Sequence, residues 1–395
     1  MHTKRFEPVV IPEPRSHDYH VMVKPIGGIC NLNCAYCYYL PVVDMYKARP
    51  GHSGDFRMSL ETYDLFAKQY LDRPIDQVCF AWQGGEPTLM GLDWFKQAME
   101  LQAKYRREGQ AVENSLQTNG TLLDDDWCAF FREHGFLIGL SVDGPASYHD
   151  KYRRTVAGEP SHEKVQRGLR LLRKHGVEFN SLVVLSQSNV HDPDGVYRFL
   201  INQGLRHVQL IPLLEYDKKT FEPIPEAITG EQYGRFLCRI FELWFENNIG
   251  SIFVQIIEQT LAAHLGVSPS LCIHMPTCGR ALILEHNGDV YACDHYPFAT
   301  HLRGNIHDKK LHDMVNAPEQ LEFGRSKQTD LTEQCRRCPY LPACNGGCCK
   351  HRIVSLDGEP NRHNWFCEGY RMFFEYSFDK MAAIATALRR GLPAR

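Results

Sequence analysis

Between residues 19 and 215 the apolar and polar positions follow one repeating phrase. Six short β-rich runs, Tyr19–Lys24, Val78–Trp82, Ser115–Thr118, Leu137–Val142, Phe179–Leu185 and His207–Leu213, are each followed by a loop holding Gly, Pro or Asn and then by an amphipathic helical stretch. In one such stretch Val165, Leu169 and Leu172 fall on a single face, Ser161 stands where an N-cap is wanted, and Gly176 where a left-handed C-terminal stop is wanted. Gly109, Gly135 and Gly204 read as similar stops. Strands alternating with helices imply parallel pairing through right-handed crossovers. Six units predict an α/β fold, a partial (β/α)6 barrel of the TIM type. After residue 215 comes a helical stretch around Tyr233–Glu246, and from about residue 268 a region punctuated by Cys, Gly and Pro. The chain therefore divides into an N-terminal extension (1–18), a core domain (19–264) and a small Cys-rich domain (265–395).

In a barrel of this kind the site is built from the loops at the C-terminal ends of the strands. Four loops carry candidate chemistry: Cys30–Cys37 after the first run, Gly84-Gly85-Glu86-Pro87 after the second, Thr118-Asn119-Gly120 after the third and Asp143-Gly144-Pro145 after the fourth. Cys30, Cys34 and Cys37 offer three thiolates in one tight loop, where an ordinary four-iron cluster takes four. Three ligands leave one iron open to bind a substrate or cofactor. The alternatives are a zinc site completed by a nearby His and a structural cluster with a distant fourth Cys.

Composition narrows the class. The 395 residues, 43% of them hydrophobic, can bury a full core. No apolar run approaches the roughly 18 residues of a membrane span, and the opening MHTKRFEPVVIPEPR is broken by charges and prolines. A cytoplasmic location and no membrane partner are expected. The net charge of -3 comes from 44 basic and 47 acidic residues mixed along the chain, so nucleic acid is not an expected partner.

The 15 cysteines change the picture most, because in a reducing compartment they point to metal ligation or catalysis rather than disulfides. Eight of them run Cys272-x5-Cys278-x14-Cys293, then after 41 residues Cys335-x2-Cys338-x5-Cys344-x3-Cys348-x18-Cys367. Eight is two sets of four, which suits two four-iron clusters or two structural zincs. Cys79, Cys128, Cys238 and Cys349 are read as small buried apolar side chains.

The Cys-x3-Cys-x2-Cys loop with Tyr36 before its last cysteine resembles the radical S-adenosylmethionine signature. That resemblance implies that the open iron chelates the methionine end of S-adenosylmethionine. It assigns Gly84, Gly85 and Glu86 to the cofactor's amino group, Ser141 and Arg153 to its ribose and carboxylate, Leu214 to a backbone contact beside the adenine and Tyr36 to the neighbourhood of the ring. The C-terminal spacing is similar to the SPASM domain, which carries two auxiliary [4Fe-4S] clusters. On that likeness Cys272, Cys278, Cys293 and Cys348 hold the first, and Cys335, Cys338, Cys344 and Cys367 the second, making three [4Fe-4S] clusters in all. Cys349 is left over beside Cys348.

Within that superfamily the chain resembles the anaerobic sulfatase-maturating enzymes, through Phe80–Leu89, Asn114–Leu122, Gly139–Pro145, Val290–Tyr296 and Phe373–Phe378. The resemblance implies oxidation of a Cys or Ser to Cα-formylglycine, in a sulfatase polypeptide, unfolded and bearing Cys/Ser-x-Pro-x-Arg, by hydrogen abstraction from Cβ. A reductant such as flavodoxin or ferredoxin is implied as a further partner. Asp294, next to Cys293, matches the family's proposed base, and Tyr39 and Gln83 lie beside the first two cofactor loops, where the peptide must enter. Two other readings stand beside this one. A SPASM enzyme that cross-links or epimerises a peptide shares every cluster, although no small precursor-recognition domain is evident at the N-terminus. A non-enzymatic zinc-binding interaction module belongs to a different class.

Overall fold

All six β-rich runs become strands, within a residue or two at most ends, except that the third begins four residues earlier than read. A computed structural model describes residues 5–49 and 54–394. The strands are β1 (His20–Lys24), β2 (Gln77–Trp82), β3 (Ala111–Thr118), β4 (Leu137–Ser141), β5 (Glu178–Leu185) and β6 (His207–Pro212). Each pairs in parallel with the next, as crossover helices require. Alternation along each strand sets the layers. In β2, Val78, Phe80 and Trp82 are buried against the helices, while Cys79 and Ala81 face the barrel interior and are only half-buried.

Four more strands extend this sheet. They are β7 (Phe253–Val254), β8 (Ala281–Glu285), β9 (Asp289–Tyr291) and β10 (Leu302–Asn305). The order is β10-β9-β8-β1-β2-β3-β4-β5-β6-β7, an open sheet whose end strands do not pair, so the barrel is partial. The Cys-rich part is thus continuous with the core. β8 lies parallel to the free edge of β1 over its whole length, His20 opposite Ala281 and Lys24 opposite Glu285. The helix Gln255–Leu265, ending at left-handed Gly266, closes just where the domain boundary was read, but the sheet crosses that point.

Helix ends follow the sequence with two differences. Gly135, Gly176 and Gly204 have the expected positive φ just past helix ends. Gly109 instead turns the chain into β3, three residues beyond the C-cap Arg106. Ser161 occupies the N-cap position of the helix His162–Lys174 without capping it. Its hydroxyl donates to the carbonyl of Arg153 (2.7 Å), and Asp150 accepts from the N–H groups of Ser161 and His162 (2.8 Å each). The extension before β1 is anchored by Phe6, which is 2% exposed and packs against His264, Tyr340, Phe374 and Phe378. Cys128 is buried and Cys79 and Cys238 half-buried, whereas Cys349, also half-buried, lies among the thiols of Cys272, Cys278 and Cys348 and is not an isolated packing residue.

Candidate active site

The segment after β1 turns back over the barrel mouth because the next loop is bonded to it. The N–H of Gly85 donates to the carbonyl of Gly27 (2.8 Å) and that of Glu86 to the carbonyl of Ile29 (2.9 Å). The approach is so close that a Cβ on Gly85 would lie 1.8 Å from the oxygen of Ile29, so only glycine fits. Backbone bonds from Asn33 to Arg154 and from Ala35 to Tyr152 pin the other flank. Cys30, Cys34 and Cys37 come together there. Burial pushes the Cys30 thiol up to about 12 and the Cys34 thiol to about 11, and the neighbouring sulfurs add to both rises. Three half-buried cysteines in one loop, with thiolates disfavoured at Cys30 and Cys34, suit a cationic iron cluster, whose charge reverses that balance.

The residues assigned to the cofactor surround this loop, and most have protein partners. Glu86 is fully buried and accepts from the N–H (3.2 Å) and hydroxyl (2.7 Å) of Thr88, the hydroxyl of Thr118 (2.8 Å) and the N–H of Asn119 (2.8 Å). Its carboxylate therefore bolts the loop after β2 to the loop after β3. Arg153 makes a two-pronged pair with Asp143 (2.8 and 3.1 Å), which also accepts from the Tyr36 hydroxyl and the N–H of Val184. Burial alone raises Asp143, yet the Arg153 charge and these bonds hold it below the ordinary carboxylate range. Ser141 ends β4, and Leu214 is buried beyond β6. The sequence presents Asp143 only as part of the turn Asp143-Gly144-Pro145.

On the opposite side of the mouth, β8 and β9 deliver Cys293 and Asp294 to the end of β1. Asp294 pairs with the Lys24 ammonium (2.5 Å) and accepts from the Tyr38 hydroxyl (2.6 Å). Burial raises the Asp294 carboxyl, but the charges of Lys24 and His295 and its contacts with Lys24 and Tyr38 leave it below the ordinary carboxylate range. Gln83 accepts from Lys24 (2.5 Å) and donates to Gln117 (2.5 Å). Tyr39 is 2% exposed, its hydroxyl donates to Glu285, and Lys24 lies 4.4 Å from its ring centre. Lys24 and Tyr38 were absent from the residues picked out by sequence. The available signal was position, since Lys24 closes β1 at the end where barrels carry their chemistry.

The two C-terminal thiol sets differ in their surroundings. Cys272, Cys278, Cys293 and Cys348 lie close enough to perturb one another, with Cys349 joining through Cys278. Lys327, 1% exposed, donates to the carbonyls of Cys272 (2.6 Å) and Ile273 (2.9 Å), and His295 Nδ1 is 3.3 Å from the Cys348 sulfur. Cys335, Cys338, Cys344 and Cys367 line one cavity of about 310 Å³ together with Tyr340, Tyr370 and Phe374, and His363 Nδ1 is 3.6 Å from the Cys335 sulfur. Four thiols around one apolar cavity fit a cubane cluster.

A partial barrel with a three-thiol loop at its mouth and two further thiol sets defines an iron–sulfur enzyme with one open-coordinated cluster and two auxiliary ones. Residues 25–200 match the Radical SAM superfamily and residues 272–339 the iron-sulfur cluster-binding domain SPASM. A serine-type anaerobic sulfatase-maturating enzyme of Bacteroides thetaiotaomicron is 41% identical, over 92% of this chain and 90% of that protein. A cysteine-type enzyme of Clostridium perfringens strain 13 is 32% identical, over 93% and 99%. The solved structure of native anSMEcpe with bound AdoMet superposes with TM-score 0.83 at 31% identity, covering 93% of this chain and 99% of that one. The chain belongs to the anaerobic sulfatase-maturating enzymes, which use S-adenosylmethionine and [4Fe-4S] clusters to convert a Cys or Ser to formylglycine. Membership removes the zinc-module and cross-linking readings. Streptococcus suis SuiB shares the fold alone (TM-score 0.60, 14% identity).

Proposed function

We propose that this enzyme acts on a serine within an unfolded sulfatase segment of the form Ser-x-Pro-x-Arg, with Asp294 as the proton acceptor. The serine reading is supported by relatives of serine type at 41% and 37% identity against 31–32% for those of cysteine type. The observation that carries the chemistry is Asp294, half-buried beside Cys293 and held between the Lys24 ammonium and the Tyr38 hydroxyl. An alcohol is a far weaker acid than a thiol, so a serine target makes the greater demand on a base.

Cys30, Cys34 and Cys37 would hold the cluster at which S-adenosylmethionine binds, and that cofactor would supply the radical chemistry that takes one hydrogen atom from the target Cβ. The chain's own residues do the rest. Gly84 and Gly85 present backbone to the cofactor's amino group, Ser141 and Arg153 contact its ribose and carboxylate, and Leu214 and Tyr36 bound the adenine. The Asp143–Arg153–Tyr36 network holds that wall rigid. Gln83 and Tyr39 flank the incoming peptide. Asp294 takes the proton from Oγ, and the electron lost with it, for which the auxiliary cluster that Cys272, Cys278, Cys293 and Cys348 would hold is the acceptor, leaves Cβ and Oγ as an aldehyde. Cys272, Cys278, Cys293 and Cys348 hold the nearer auxiliary cluster and Cys335, Cys338, Cys344 and Cys367 the farther one. A low-potential donor such as flavodoxin or ferredoxin supplies electrons, and the enzyme works in the cytoplasm.

The test is incubation of the reconstituted enzyme with S-adenosylmethionine, a reductant and either a Ser-x-Pro-x-Arg or a Cys-x-Pro-x-Arg peptide. Mass spectrometry should find the serine peptide lighter by two hydrogens. Conversion of the cysteine peptide alone contradicts the serine reading while leaving the family chemistry intact.

A further inference from the structure

Lys24 is 0% exposed and occupies the last position of β1, at the mouth of the barrel. A buried ammonium is retained only where charge and hydrogen bonds compensate it. Here its ammonium meets three residues read above as flanking the target: Asp294 (2.5 Å), Gln83 (2.5 Å) and the ring of Tyr39 (4.4 Å). Each is held from its far side as well. Tyr38 donates to the other oxygen of Asp294, Gln117 accepts from the amide nitrogen of Gln83, and Glu285 accepts from the hydroxyl of Tyr39. Since Lys24 stands opposite Glu285 in the β1–β8 ladder, this arrangement forms only when β8 has docked.

We propose that Lys24 is a positioning residue for proton transfer, an ammonium hub that fixes the carboxylate of Asp294 and the amide of Gln83 around the target side chain. The inference rests on the reading of Asp294 as proton acceptor. With Lys24 on Oδ1 and Tyr38 on Oδ2, the plane of the carboxylate is set, and its remaining lone pairs are aimed before substrate arrives. Without Lys24 the carboxylate is free to rotate toward Tyr38 and the amide of Gln83 loses its orienting donor. Hydrogen abstraction from Cβ, which needs neither group, continues.

The experiment compares wild type, Lys24→Met, Asp294→Asn and the double variant as cluster-reconstituted full chains with the Ser-x-Pro-x-Arg peptide. Two quantities are read for each: formylglycine formed per 5′-deoxyadenosine released, and the melting temperature. Lys24→Met should lower the ratio at least tenfold while releasing 5′-deoxyadenosine, and the double variant should lower it no further than Asp294→Asn does. The double variant should also melt above Lys24→Met, because it no longer buries an unpaired carboxylate. An unchanged ratio in Lys24→Met, losses that multiply in the double variant, or melting losses that simply add each overturn the proposal. If Lys24→Met does not fold, the double variant set against Asp294→Asn decides: equal ratios uphold the hub and a further loss overturns it. A normal ratio in Asp294→Asn overturns the base assignment itself, and with it the hub, independently of any result at Lys24.

Discussion

On the β2–β4 side of the barrel mouth, Glu86 accepts from residues 2 to 33 positions away and Asp143 from Arg153, Val184 and Tyr36, 10, 41 and 107 positions away and all within the core strands' span. On the β1 side, Asp294 accepts from Tyr38 across 256 positions, and Glu285 from Tyr39 across 246. Both sides bury carboxylates, but they are assembled differently. The cofactor side grows from consecutive βα units that would hold their shape as the barrel forms. The base side exists only after the Cys-rich part returns and β8 adds to the edge of β1. Cofactor cleavage and product formation should therefore respond to different substitutions.

The largest effect separates cluster from cluster. Changing Cys30, Cys34 and Cys37 together to Ala should abolish 5′-deoxyadenosine release while about eight irons per chain remain, from two four-iron clusters. Iron and acid-labile sulfide analysis checks this, and complete loss of iron would mean that the three sets are not independent. Next in size is Asp294→Asn, which should lower formylglycine formation by about 10²–10⁴-fold, the range for a lost general base, with cleavage of S-adenosylmethionine continuing.

The same difference in assembly decides what could be read from the chain alone. The six core strands were legible because β-rich runs and helical stretches recur in register, and the Cys30–Cys37 loop because its spacing is short-range, whereas the division of the eight C-terminal thiols into two sets rested on likeness to the SPASM domain. Asp294 was found through its place after Cys293. Lys24 and Tyr38 were not, because a lysine at a strand end and a tyrosine after a cysteine mean nothing until a partner more than two hundred positions away is brought beside them. Continuity of β8 with β1 escaped for the same reason: a change of pattern near residue 265 looks like a domain boundary whether or not the sheet runs through it. Glu86 was assigned to the cofactor by its motif, and only the fold shows its carboxylate occupied by Thr88, Thr118 and Asn119. Ser161 shows the limit of local capping signals, since its hydroxyl serves Arg153 instead of its own helix.

Two smaller effects sharpen the contrast. Glu86→Gln keeps the shape of the bolt but sets an amide donor among the donors it served, and should cost on the order of 3 kcal/mol of stability. Its melting temperature should fall and cofactor cleavage should decline in step with product, leaving their ratio unchanged. Gly324→Ala acts on the other side, where a Cβ would lie 2.4 Å from the carbonyl oxygen of Cys278, just before β8. The local shift should cost about 1–3 kcal/mol, and product should fall more than cofactor cleavage. Equal falls in both activities would break the distinction between the two sides.

The most direct test of the central claim follows deuterium from a serine peptide labelled at Cβ, in wild type and in Asp294→Asn. If hydrogen abstraction precedes proton transfer to Asp294, deuterium reaches 5′-deoxyadenosine in both, and only the wild type turns that transfer into formylglycine. Formylglycine accumulating in step with transferred deuterium in Asp294→Asn would contradict the account and send the search for the base elsewhere.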